Sequence, residues 1–150
     1  MSGGLWFLLT LALFLSVQAG VDVSVAVTAP VQGPPPATVD AAMDTAVYEQ
    51  GKQVYLSQYC GVCHTLAAAG TGGVFGPAHD GIGRQANERI GDPRYKGSAT
   101  TAEDYIRESI VAPNIFVAAG AGPGHQAMPP FAHLPAADID ALVYFLSQQR

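Results

Sequence analysis

Three stretches of the chain place apolar residues three and four positions apart, the spacing of a helix with one buried face. In the first, Asp44 to Tyr59, the repeat is Val47, Tyr48, Gly51, Val54 and Tyr55. Gly51 costs about 1 kcal/mol against alanine inside a helix. It lies on the apolar face, so close approach of another helix is the expected compensation. The second stretch, Thr101 to Val111, buries Ala102, Tyr105, Ile106 and Ile110, and Pro113 ends it. Its start reads Thr100-Thr101-Ala102-Glu103-Asp104, a hydroxyl cap with an acid three residues on. The third runs from Pro135 to Gln148 with Ile139, Leu142, Val143 and Leu146 as its stripe. Asp138 and Asp140 sit early in it, where the helix dipole favours acids, and proline is tolerated at a helix start. A shorter helix is predicted around Ile82–Asn87. The pattern is that of an all-α domain over residues 44–150.

The connections differ in kind. Gly70, Gly72, Gly73, Gly76, Gly81 and Gly83 crowd the chain after residue 64, a backbone suited to passing close to a flat group. They lack the order of a phosphate-binding loop. Residues 118–131 form an apolar loop rich in glycine and proline that carries Met128-Pro129-Pro130-Phe131.

Upstream of the domain the chain is of another character. Residues from Gly3 to Ala19 are apolar and uncharged, and the first ionisable side chain is Asp22. Residues 1–20 therefore read either as a secretory signal cleaved after Val17-Gln18-Ala19 or as a retained anchor, with residues 5–19 in contact with the membrane. The basic segment usual at the start of a signal is missing, since no Lys or Arg precedes Lys52. Residues 21–43 read as a linker. Pro30 and Pro34-Pro35-Pro36 forbid a long helix and favour a stiff extended chain, and the alternating Val21 to Val27 has no partner strand.

Charge narrows the partners. The net charge of −5 argues against nucleic acid, and lysine occurs only at Lys52 and Lys96, so no lysine ring can steer docking. Both cysteines fall in one pentapeptide, Cys60-Gly61-Val62-Cys63-His64. This is C-x-x-C-H, the attachment signature of c-type haem. Two thiols add across the two vinyl groups, and the next residue falls beneath the iron, where His64 gives an imidazole nitrogen as proximal ligand. A thioredoxin-like dithiol would need a βαβ setting, and zinc would need a second ligand pair. A disulfide across so short a loop would stabilise little.

From about Asp44 to Arg150 the chain resembles a small single-haem class I cytochrome c. The resemblance rests on Gly51 and Tyr55 before Cys60–His64, on Gly76-Pro77 a dozen residues later, on Met128-Pro129-Pro130-Phe131, and on a closing helix through Asp138–Leu146. It implies four to five short helices wrapped around one covalently attached haem c. The first and last helices would cross nearly at right angles, with Gly51 against Tyr144 or Phe145. It implies that Pro77 offers its carbonyl to the second nitrogen of His64 and that Met128 is the distal ligand. Met1 and Met43 both precede the motif; His79, His125 and His133 are the rival distal ligands. Arg84, Arg89, Arg94, Tyr95 and Lys96 are candidate partners for the haem propionates.

The function this implies is electron transfer, not enzymatic turnover, with one iron cycling between ferric and ferrous states. The carrier would be periplasmic or held at the outer face of the cytoplasmic membrane. It would pass electrons between a donor and an acceptor that are themselves membrane redox complexes. Two alternatives stand beside it: a haem subunit fixed in a larger respiratory or photosynthetic complex, and a five-coordinate haem that reacts with gas or peroxide.

Overall fold

Gly51 decides how the domain closes. A Cβ at that position would overlap the carbonyl oxygen of Ala141 and lie 2.6 Å from Phe145 Cβ. Only a bare Cα lets the first and last helices approach this closely. The computed structural model describes residues 39–119 and 127–150, which fall in one compact unit. Helix α1 spans Val39–Ser57, α2 Cys60–Cys63, α3 Ile82–Ile90, α4 Ala102–Val111 and α5 Ala136–Ser147. The packing of α1 on α5 is the most extensive contact between elements, and α4 joins α3 to α5. Among the described residues the only sheet is a ladder of two two-residue strands, β1 Thr65–Leu66 and β2 Thr71–Gly72, paired antiparallel.

The periodic faces become the core. Ala102, Tyr105, Ile106 and Ile110 of α4 and Ile139, Leu142, Val143 and Leu146 of α5 are all buried. Val54 and Tyr55 bring α1 into the same cluster, whereas Val47 stays on the surface. Of the two aromatics expected opposite Gly51, it is Phe145 that fills the crossing, with its ring against Tyr48 and Tyr55 at centroid distances of 4.9 and 5.8 Å. Thr101 caps α4 as its sequence predicts, its hydroxyl accepting from the Asp104 amide at 3.1 Å. Arg107 ties α4 to α5 through Asp140 on the surface, at 2.5 Å.

Several boundaries differ from the periodicity. Helix α1 begins five residues upstream, at Val39, because Val39-Asp40-Ala41-Ala42-Met43 contains no proline or glycine to stop it. It ends two residues early, at Ser57. Tyr59 then takes a left-handed conformation, with φ of 56°, before Cys60. That one residue breaks the helix and redirects the chain into α2, and no glycine marks the place. Helix α3 runs on to Ile90. The expectations for residues 1–38, including the signal or anchor and most of the linker, lie outside the described residues, as does His125. Among the described residues no helix is long and apolar enough to cross a membrane.

The crossing sets a test. Gly51→Ala gains roughly 1 kcal/mol of helix propensity. It also drives a methyl group into the backbone of α5, where overpacking typically costs about 1–3 kcal/mol, and no flexible side chain can yield. The variant is therefore expected to be net destabilised, melting below the parent in thermal unfolding monitored by far-ultraviolet circular dichroism. A higher melting point would show that the helices can move apart without loss.

Candidate haem site

A cavity of about 420 Å³ opens between the helices, within the range of sites that enclose small molecules and cofactors. Cys60, Cys63, His64, Pro77 and Met128, the five residues singled out in the sequence, all line it. The remaining wall is mostly apolar, including Ile82, Ile106, Ile110, Leu142 and Leu146. Such a lining suits a large, flat and largely apolar group.

The motif is held in place by backbone hydrogen bonds. The amides of Val62 and His64 donate back to Tyr59 and Cys60, both at 3.0 Å, so α2 is a single turn that ends on the histidine. Residues 76–79 are then stapled alongside. The Gly76 amide donates to the Cys63 carbonyl and the His79 amide to the Thr65 carbonyl, both at 2.8 Å. The Thr65 hydroxyl donates to the Gly73 carbonyl at 2.7 Å, and Asp80 accepts from the Ala67 amide at 2.9 Å. Two glycines permit the approach. A Cβ at Gly73 would meet the backbone of Val62, Cys63 and His64, and one at Gly76 would overlap the His64 ring.

This stapling delivers Pro77. Its carbonyl oxygen lies 2.7 Å from His64 Nδ1, so the neutral ring places its proton on Nδ1 and keeps the Nε2 lone pair free. Burial lowers the His64 pKa from its ordinary value; the Pro77 carbonyl opposes that shift and the Arg89 charge adds to it. The imidazole is therefore buried, neutral and of fixed tautomer, which is the state of a metal ligand. Tyr55 reaches the backbone carbonyl of the same histidine at 3.4 Å, and burial pushes its phenol up to about 12, so it stays protonated.

The cysteines are free and half-buried. Burial pushes the Cys60 thiol up to about 11. A dithiol oxidoreductase needs the opposite, a depressed pKa that gives a thiolate at neutral pH. The absence of a βαβ unit around α2 among the described residues weighs against that chemistry as well.

Met128 enters from the far end of the chain and is half-buried at the cavity. Its segment is anchored where the Phe131 amide donates to the Ile110 carbonyl at the end of α4, at 3.0 Å. Of the rival histidines, His133 is exposed and does not line the cavity. His79, the other described rival, is half-buried and lines the cavity, with its ring stacked on His64 at a centroid distance of 3.9 Å and an interplanar angle of 13°. The amide bond to Thr65 is what brings His79 beside His64.

The cations sort in the same way. Arg84 and Lys96 are exposed. Arg94 is bound to Asp92 and lies over the Phe116 ring at 5.5 Å, and Tyr95 donates to Glu108. Arg89 alone of the five lines the cavity, held by a hydrogen bond of 2.7 Å to Gln85 one turn earlier.

The comparisons with known proteins agree with this geometry. A sequence profile described as cytochrome c matches residues 48–150. The chain is 35% identical over 88 residues to cytochrome c-551 of Allochromatium vinosum (strain ATCC 17899), an alignment covering 58% of this chain and 72% of that protein. No solved structure matches significantly. With a profile spanning more than half of its length, and with Cys60, Cys63 and His64 together at one cavity, the chain belongs to the cytochrome c family, a family of electron carriers with covalently bound haem c.

Proposed function

We propose that this protein is an exported one-electron carrier whose haem iron is closed on both sides, by His64 and by Met128. The observation that carries the reading is the hydrogen bond of 2.7 Å between His64 Nδ1 and the Pro77 carbonyl in a cavity that Met128 also lines. Haem c, once attached, supplies an iron that takes up and releases a single electron. Cys60 and Cys63 hold the macrocycle by thioether bonds through their Sγ atoms. His64 gives Nε2 to the metal, and the Pro77 carbonyl raises the basicity of that nitrogen by drawing on the Nδ1 proton. Met128 gives a soft thioether sulfur, which favours the ferrous state. The apolar wall lowers the local dielectric, disfavours the extra charge of ferric iron and adds to the same effect. Arg89 is the partner for a propionate, since it is the guanidinium at the cavity.

With both axial positions taken, substrate has no ready access to metal, which favours electron transfer over peroxide or gas chemistry. Electrons would leave at the edge carrying Cys60 and Cys63. Tyr59 and Val62 beside them are exposed, at 76% and 61%, and Phe75 at the cavity wall is half exposed. That surface favours a small, weakly held apolar contact, of the kind made in transient redox encounters or with a neighbouring subunit. The membrane redox complexes inferred as donor and acceptor would be met on the periplasmic side. The apolar, uncharged residues 3–19 support export, since haem c is attached outside the bacterial cytoplasm.

Three measurements test these points. The ferric protein should show the weak near-infrared band of sulfur bound to haem iron. Met128→Ala should abolish it, admit carbon monoxide to the ferrous form and lower the midpoint potential by on the order of 0.1–0.3 V, within the span of about 0.8 V that axial ligands command. An unchanged spectrum would transfer the distal role to another residue, His125 first. Electron exchange with a physiological partner should change no more than about twofold between low and physiological salt, because the exit surface has no lysine ring to steer it; steered encounters vary by about 10–1,000-fold. A steep salt dependence would place docking on another face. The amino terminus of the mature protein should begin just after Ala19 if residues 1–20 are a cleaved signal, and at Met1 or Ser2 if they are an anchor; an unprocessed chain found in the cytoplasm would sink the export reading.

A further inference from the structure

His79 has no part in the proposed electron transfer, yet its half-buried ring lines the cavity beside His64. Its Nδ1 is buried with no hydrogen-bond partner. Buried polar atoms in folded proteins are nearly always paired, so an orphan calls for a reason. A leucine would fill the same space and leave no nitrogen stranded. What a leucine does not have is a flat ring.

The surroundings of that ring are built with care. The His79 amide is fixed to Thr65, the residue directly after His64, and its carbonyl accepts from the Ile82 amide at 3.0 Å, at the start of α3. The backbone is thus held on both sides. The ring lies parallel to His64 within 13°, and Tyr55 meets it edge-on at a centroid distance of 5.8 Å. His64 has three neighbours at its ring: the Pro77 carbonyl at Nδ1, the bare Cα of Gly76 near Cε1, and the face of His79. The hydrogen bond fixes one atom of the imidazole but leaves the ring free to rock about that contact. A parallel plate at 3.9 Å removes this freedom.

We propose that His79 is a positioning residue, and that its stacked imidazole locks the plane in which His64 presents Nε2 to the haem iron. The inference rests on the reading of His64 as axial ligand. The plane of an axial imidazole sets how its π orbital divides the iron d orbitals of the ferric state. A locked plane gives one set of magnetic parameters; a rocking ring gives a spread.

The test is electron paramagnetic resonance of the haem-loaded full chain, comparing the parent with His79→Leu and His79→Phe. His79→Leu removes the plate and should broaden and shift the low-field g feature while the near-infrared sulfur band persists. His79→Phe keeps a plate without the orphan nitrogen, and should restore the parental g value and melt at or above the parent. A His79→Leu spectrum identical to the parent overturns the proposal. So do equal shifts in both variants, which would assign the effect to the nitrogen. If the leucine variant fails to load haem, the ferrous parent decides the matter. Nuclear Overhauser contacts between the His64 and His79 ring protons support the stack, and their absence refutes it. A parent spectrum that is high-spin would instead overturn the axial reading itself, so the two failures are told apart.

Discussion

The hydrogen bond from His64 Nδ1 to the Pro77 carbonyl is the constraint on which the site depends, and it is a backbone achievement. A proline carbonyl cannot be aimed by choosing a rotamer; it goes where residues 76–79 go. Those residues are bound to the motif by the amides of Gly76 and His79, and both glycines at 73 and 76 are there because a side chain would strike the motif. The turn Cys60–His64 and Pro77 therefore form one unit, even though His64 and Pro77 are thirteen positions apart in the chain. The tautomer of His64 is fixed by that geometry.

The helices set the other half of the problem, which is to bring Met128 to the same cavity. No local interaction joins residue 128 to residue 64. The link runs through the core: α1 carries the motif, α5 crosses α1 at Gly51, α4 packs on α5, and the end of α4 holds Phe131. The place of Met128 therefore depends on the crossing, whereas that of His64 rests on its own backbone hydrogen bonds. The two residues reach the cavity by different means: His64 is held by local backbone bonds and Met128 by the packing of the whole domain.

Much of this was legible in the sequence, and the pattern of success has a physical cause. The buried faces of α4 and α5 follow from a period of 3.6, and the attachment motif follows from a reaction that demands contiguous residues. Pro77 and Met128 stood out only through family resemblance, because nothing local in Gly76-Pro77 or Met128-Pro129 says what they face. Tyr59 escaped notice because a left-handed residue without glycine leaves no signature. The choice of Arg89 from five candidates was equally hidden. It depends on which side chain the fold brings to the cavity, as it does Arg89, and which it engages elsewhere, as it does Arg94 with Asp92.

His79 marks the limit most clearly. As a histidine in a glycine-rich loop, it has the profile of a solvated surface residue. Its place beside His64 comes from one amide bond to Thr65, a contact that composition and periodicity do not encode. The signal that was present is its spacing: two residues beyond Pro77, on a segment already required to run beside His64. If Pro77 reaches the second nitrogen of the ligand, the residues that follow must pass close to the same ring. The side chain two positions on is then a candidate for the face of that ring. A buried site built from one stapled segment thus constrains the neighbours of its named residues as firmly as the named residues themselves.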